Sequence, residues 1–241
     1  MDKTNMKGVV CLSGGLDSCA LAAEAIEKGY ELHALTFKYG QLHEKEIECA
    51  RMIAFELDIP WRVGDLKFIK QLFSSSGSTL LVGGVEDHKE IGNNEIISSY
   101  VPMRNTIFLS IAAGYAESIG ADNLFIGACF VDSGHYPDTT SAYLEEMKVA
   151  LMKGSGRWSS GERRLEIHHH GNRSKADIVK VGMKCGAPFE LSWSCYNPTK
   201  EGRPCLRCNS CHNRIKGFRE VGIKDPILTD GEWDEAILKL L

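Results

Sequence analysis

A chain of 241 residues that is 43% hydrophobic can bury a sizeable core, as one domain or one domain with a small appendage. A formal net charge of −4 argues against a large nucleic-acid footprint, which shows as clustered Lys and Arg, so nucleic acid is not an expected partner. There is no apolar run of about 18 residues, and MDKTNMKG lacks the apolar stretch of an export signal; the expectation is a cytoplasmic protein with no membrane partner.

Residues 8–12 predict a first strand that stops at Ser13-Gly14-Gly15. A helix is expected from 17 to 28, ended by Gly29 in a left-handed conformation. ELHALTF (31–37) is strand two, and HEKEIECARMIAFEL (43–57) places Ile47, Ala50, Ile53, Ala54 and Leu57 at helical spacing. WRVGDL (61–66) is strand three, and this βαβαβ order predicts a Rossmann-like α/β fold: a parallel sheet with helices on both faces. Residues 74–95 are rich in Ser, Gly and Asn, have no sustained period, and read as a lid or a structureless insertion; 74–99 is the segment expected to close over a substrate. Val101-Pro102-Met103 is expected to be extended, leading into a helix over 104–118. NLFIGA (123–128) is a further buried strand, 142–152 a helix, and 155–175 mostly loop with EIH (166–168) a short strand. Ser174 caps a helix running to about 185 with Gly186 beyond it, and two more helices are expected over 209–220 and 231–240.

The turn after strand one carries the first chemistry. Backbone N–H groups at a helix N-terminus lack partners, glycines admit a close ligand, and serine hydroxyls add donors, so SGGLDS is an anion site. Neither G-x-G-x-x-G nor G-x-x-x-x-G-K-[ST] is present, which excludes the dinucleotide and Walker loops. Asp17 beside phosphates makes sense with a cation between them, or as a helix cap. Arg104 and Asn105 open a helix that faces the sheet edge where Asp17 lies; Arg104 there pairs with a carboxylate or phosphate, or is a surface residue.

Of nine cysteines, Cys11, Cys19, Cys49, Cys129 and Cys185 are scattered and read as small buried hydrophobes. The spacing Cys195-x9-Cys205-x2-Cys208-x2-Cys211 supplies four soft ligands for a closed, structural zinc site, with an iron–sulfur cluster as the rival and His212 as a substitute ligand of poor geometry. Arg203, Arg207 and Arg214 are expected to offset its negative charge, and His168-His169-His170 reads as a solvated loop without a role.

S-G-G-x-D-S after a first strand resembles the PP-loop of the N-type ATP pyrophosphatases. FKYGQLHEKEIECA (37–50), YVPMRNTIFLSIAAGYAE (100–117), GACFVDSGHYPDTT (127–140) and CYNP with C-x-x-C-x-x-C (195–211) are similar, in the same order, to elements of the 7-cyano-7-deazaguanine synthase family. The resemblance implies a PP-loop ATPase domain over 1–190 and a zinc-binding, helical segment over 191–241 packed on it. It implies ATP contacts from Leu12, Ser13, Gly14, Gly15, Leu16, Asp17, Ser18, Phe37 and Gly127, with Mg2+ accompanying ATP. Asp17, Arg104 and Lys175 would be catalytic, Lys175 steadying charge at the adenylated carbon, and Tyr39, Gln41, Arg104, Asn105, Asp132, Tyr136 and Asp138 would hold the substrate. Asp138, and with similar standing Asp132, would accept N–H donors from a guanine-like ring; a turn-capping role for Asp138 is the alternative. Family chemistry implies an ATP-dependent ligase. The carboxylate of 7-carboxy-7-deazaguanine is adenylated and attacked by ammonia, and a second ATP converts the amide to the nitrile. A homodimer with structural Zn2+ is implied.

The chain departs from the family pattern where Thr139-Thr140 replace Cys-Arg, where His135 precedes Tyr136, and where HHHGNRSK stands in place of a Pro-Leu pair. All three touch the acceptor pocket and keep other readings open. One is transfer of the deazapurine to a different amine, on a protein for example. Another is a tRNA-modifying enzyme using the basic stretch Arg157, Arg163, Arg164 and Arg173, and a third a non-catalytic nucleotide-binding subunit.

Overall fold

The computed structural model describes residues 6–42, 44–84, 96–129 and 136–240. Five parallel strands, β1 (Lys7–Cys11), β2 (Glu31–Lys38), β3 (Trp61–Asp65), β4 (Asn123–Ile126) and β5 (Glu166–His168), lie in the order β3-β2-β1-β4-β5. The helices are α1 (Leu16–Glu27), α2 (Lys45–Glu56), α3 (Phe68–Phe73), α4 (Thr79–Val82), α5 (Arg104–Ile119), α6 (Ser141–Gly154), α7 (Lys175–Lys184), α8 (Asn209–Val221) and α9 (Asp230–Lys239). Strand order reverses between β1 and β4, and such a reversal opens a crevice at the carboxyl ends of the two strands.

The period-two alternation of the strands separates two cores. Val10, Leu12, Leu32, Ala34 and Phe125 pack with α1, α2 and α7, through residues such as Ala22, Ile53 and Ile178. Val9, Cys11, Leu35, Phe37, Leu124 and Ile126 face the other way, onto Leu109, Ala112 and Ala116 of α5 and Leu144 of α6. Helices therefore cover both faces, as the sequence predicts. Cys11, Cys19, Cys49 and Cys129 are buried as expected, while Cys185, at the end of α7, is half-buried. Burial pushes the Cys11 and Cys19 thiols up to about 12, the behaviour of inert core residues.

Three expectations about local structure need correction. Residues 74–84 are not structureless: Ser74–Ser76 form a 3-10 turn and Thr79–Val82 a short helix whose Leu80 and Leu81 are buried beside Tyr39, Ile69 and Val101. Residues 85–95 of the proposed lid lie outside the described residues. Val101–Met103 is a tight turn, not an extended lead-in; Met103 takes φ +55° and the Arg104 N–H reaches back to the Val101 carbonyl at 3.2 Å. The histidine run is not a solvated loop. His168 stacks on Phe125 at 4.5 Å and His170 is only 3% exposed.

Ion pairs tie the outer elements to the sheet layers. Arg173 forks onto Glu24 of α1 at 2.5 and 2.9 Å, which lowers the Glu24 carboxyl from the ordinary 4.5 to about 2, against the opposing effect of burial. Arg157 and Arg163 both reach Asp122. These three arginines of the basic stretch are thus engaged with carboxylates, which weakens the case for a nucleic-acid surface. In the C-terminal segment Arg214 and Asp225 are 3% and 1% exposed and form a two-pronged pair at 2.6 and 2.8 Å. Arg214 also donates to the Ser192 hydroxyl and the Phe189 carbonyl, and Arg203 pairs with Glu232. Arg203 and Arg214 are therefore braces, contrary to the expectation that they offset thiolate charge.

Two outcomes follow from these pairs. Asp225→Asn strands a buried guanidinium and is expected to cost about 3–5 kcal/mol in urea unfolding. Because the folded-state pKa of Glu24 is depressed, its stabilisation is complete above about pH 5 and is lost as pH falls through about 2. The stability difference between the wild type and Glu24→Gln should narrow over that window.

Candidate active site

At the β1–β4 crevice a cavity of about 240 Å³ opens. Its floor is the turn between β1 and α1. Gly15 is the N-cap of α1 and no side chain caps this end, so the first N–H groups of the helix and its dipole face the opening. The Ser13 and Ser18 hydroxyls lie 2.9 Å apart, and the Gly15 N–H donates to Ser13 Oγ at 3.2 Å, which holds the turn in a tight curl. Gly14 has φ +86°, and a Cβ there would lie 2.1 Å from the Glu46 carbonyl oxygen. Only glycine lets the turn pack against the start of α2. A Cβ at Gly127, just past β4, would stand 3.0 Å from the Ser18 nitrogen and cover the donors.

The turn is braced from behind. Trp193 N–H donates to the Gly14 carbonyl at 2.8 Å. His170 Nε2 lies 2.8 Å from the Asp17 carbonyl, which can only accept, so Nε2 carries the proton and the buried Nδ1 has no partner. Burial lowers the His170 pKa, consistent with a neutral ring. Lys175 Nζ donates to Asp17 Oδ2 at 2.8 Å, while Asp17 Oδ1 is buried with no partner. A neutral imidazole and an ammonium thus fix Asp17 through its backbone and one oxygen, leaving the other oxygen available for a cation.

Of the residues expected at ATP, Leu12, Ser13, Gly15, Leu16, Asp17, Ser18, Phe37 and Gly127 border the cavity; Gly14 lies behind the turn. Among those expected at the substrate, Tyr39, Gln41, Arg104, Asn105 and Tyr136 border it, and Asp132 lies outside the described residues. Lys175 does not border it and reaches it through Asp17. Asp138 does not border it either. Its Oδ2 accepts the Asn105 N–H at 2.9 Å and its Oδ1 the Asn105 side-chain amide at 3.1 Å, so it caps the start of α5, a role that neither sequence reading named. Gln41 is also committed to backbone, accepting from the Tyr39 N–H and donating to the Phe37 carbonyl.

Arg104 lies with its guanidinium 5.7 Å from the centre of the Tyr39 ring and donates to the Tyr39 hydroxyl at 3.3 Å. Burial works against its charge, but Tyr39, Tyr196, Tyr136 and Asp138 together hold its pKa above the ordinary value, so it remains a cation. Motif reading left several wall residues without a role. Phe108 stacks on Phe37 at 4.2 Å, and Trp193, Ser194, Tyr196 and Ser210 come from the C-terminal segment. Glu46, on the first turn of α2, also borders the cavity. Burial pushes its carboxyl up to about 7, with Arg104 pulling the other way. Glu46 was visible within the HEKEIECA stretch, but nothing in the spacing separates it from the exposed Glu44 and Glu48.

The four cysteines Cys195, Cys205, Cys208 and Cys211 place their sulfurs within 4.8 Å of one another. Cys205 and Cys211 are 3.9 Å apart, close to the ~3.8 Å that tetrahedral zinc–sulfur bonds of ~2.3 Å require. Backbone N–H groups of Asn197 and Cys205 point at the Cys195 sulfur, and that of Cys208 at Cys205, as donors that favour thiolates. The cluster fits a zinc site. No helix among the described residues is long and apolar enough to cross a membrane.

A 4-thiouridine synthetase, solved as an RNA complex with bound ATP, shares the fold at a TM-score of 0.50 and 18% identity, covering 96% of this chain and 53% of that one. The 7-cyano-7-deazaguanine synthase of Thermoplasma volcanium is 42% identical over 92% of this chain and 90% of its own length. That of Archaeoglobus fulgidus is 41% identical over 96% and 94%. A sequence profile described as queuosine biosynthesis protein QueC matches residues 7–222, and the chain belongs to that family.

Proposed function

We propose that this protein is an ATP-dependent ligase that converts 7-carboxy-7-deazaguanine to 7-cyano-7-deazaguanine, with ammonia as nitrogen donor. The observation that carries the reading is the uncapped start of α1, which opens into the same cavity as Arg104 and the orphaned oxygen of Asp17. Relatives about 40% identical over most of the chain carry the synthase name, which supports it.

In this reading the Ser13–Ser18 turn takes the phosphates of ATP on its N–H and hydroxyl donors. Asp17 would hold Mg2+ through its free oxygen, and the ion, when bound, neutralises phosphate charge. Lys175 and His170 keep Asp17 in place. Arg104 pairs with the substrate carboxylate and brings its oxygen to the α-phosphate. Attack of that oxygen breaks the bond to the β-phosphate and releases pyrophosphate, leaving an acyl-adenylate. Ammonia adds to the acyl carbon, AMP leaves, and a proton is lost, giving the amide. A second ATP activates the amide oxygen in the same way; loss of AMP and the remaining amide protons yields the nitrile. Residues 1–190 would carry the nucleotide chemistry, and 191–241, with the four cysteines on structural Zn2+, would supply one wall of the site.

Purified protein given 7-carboxy-7-deazaguanine, ATP, magnesium and ammonium should form the nitrile, seen by mass spectrometry, with two AMP released per nitrile. AMP release without nitrile would show that the activated acid goes to another acceptor. Arg104→Lys, which keeps the charge but loses the fork, is expected to lower kcat/KM for the acid about 100-fold with the ATP KM little changed. Metal analysis should find one zinc per chain. Cys205→Ser should lose it and unfold at a lower temperature.

A further inference from the structure

The proposed substrate has two ends. Its carboxylate goes to Arg104. Its pyrimidine-like edge presents two adjacent N–H donors, from N1 and the exocyclic 2-amino group, and a site that recognises them needs paired acceptors. Asp138 does not supply these, because Asn105 holds both its oxygens and it does not border the cavity. Asp17 and Glu46 are the two carboxylates among the described residues that border it. Asp17 is engaged by Lys175 and belongs to the phosphate turn. The Glu46 carboxylate forms no hydrogen bond or ion pair with any described residue.

The position of Glu46 suits this task. The main cavity adjoins a smaller one of about 50 Å³, and Glu46 borders both, together with Tyr39, Gln41 and Tyr196. Aromatic side chains flank it. Tyr39 is 6% exposed and packs 5.6 Å from Phe108, and Tyr196 completes the wall. An ionised carboxylate repels phosphate and suits a ligand group that donates hydrogen bonds. A planar ring between aromatic walls brings its donors edge-on.

We propose that Glu46 is the specificity-determining residue for the ring, its two oxygens accepting hydrogen bonds from N1–H and the 2-amino group of the deazaguanine acid. This rests on the reading given under Proposed function. It reassigns the ring-reading task from Asp138, which the motif suggested, to a residue 92 positions earlier in the chain (138 − 46).

The test compares 7-carboxy-7-deazaguanine with its analogue lacking the 2-amino group, following pyrophosphate release by the full chain. A site built on paired acceptors should favour the first acid by about 100-fold or more in kcat/KM. In Glu46→Gln one acceptor becomes a donor that opposes the ring N–H. This variant should lose about 100-fold on the guanine acid, mainly through KM, and bring the two acids within about tenfold of each other. Its ATP KM, zinc content and melting temperature should stay near wild type, which separates ring reading from misfolding. Glu46→Ala, which leaves space for water, should also lose the discrimination. If both variants discriminate as the wild type does, Glu46 does not read the ring and the proposal falls while the ligase reading stands. Wild-type protein that releases pyrophosphate with neither acid overturns the ligase reading and this proposal with it.

Discussion

The start of α1 has no side-chain cap, and much of the surrounding structure is arranged around leaving it open. Unpaired N–H groups at a helix end cost stability until a ligand or water satisfies them. The turn that carries them is curled by its own serine hydroxyls and is also held from other elements. Trp193 of the C-terminal segment takes the Gly14 carbonyl, and His170, just past β5, takes the Asp17 carbonyl. The first turn of α2 packs so closely on Gly14 that no side chain fits there. Each brace leaves the donor side untouched. Gly127 obeys the same constraint from β4, because any side chain there would stand in front of the Ser18 nitrogen.

Charge follows from that arrangement. The proposed triphosphate site would gather donors and cations, yet two carboxylates border this cavity. Asp17 is tolerated because Lys175 neutralises one side of it and the orphaned oxygen invites a cation. Glu46 makes no hydrogen bond or ion pair with a described residue; burial pushes its carboxyl up, and the charge of Arg104 opposes that only in part. Even partial burial of a carboxylate without a hydrogen-bond partner is unfavourable. The chain retains that cost at the edge of a cavity, where a ligand with N–H donors would relieve it, and not in the core, where nothing would.

The fold was largely legible because its signals are local. Alternation in ELHALTF, helical spacing in 43–57 and the Ser174 cap each depend on a few neighbouring residues, and the elements formed within one to three residues of the expected bounds. The tight turn between β1 and α1 was legible for the same reason. What failed depended on distant partners. Asp138 looks like a free acceptor until Asn105, on another helix, takes both its oxygens. The histidine run looks polar and exposed, yet β4 and α1 bury it through Phe125 and Asp17. Arg214 sits beside cysteines in sequence but faces Asp225. The short helix over 79–82 has too few residues to show a period and is fixed by packing on Tyr39 and Val101.

The cysteine cluster acts on the site through chain connectivity. Cys195 is preceded by Trp193 and Ser194 and followed by Tyr196, all of which border the cavity, and Cys208 is the residue before α8, whose Ser210 borders it too. Trp193 also donates its ring N–H to the Cys195 carbonyl at 2.9 Å. Fixing the four sulfurs around one ion therefore fixes the residues between them, and with them one wall of the pocket and the brace on Gly14. A closed metal site of this kind performs no chemistry itself. Its contribution would be positional: it would hold in place a segment with few regular elements over residues 192–208 that borders the cavity. Arg214 and Asp225 hold the same segment from the other side, through Ser192 and Phe189. A metal on the four sulfurs would thus act with the buried ion pair to hold a stretch that no sheet hydrogen bonds secure.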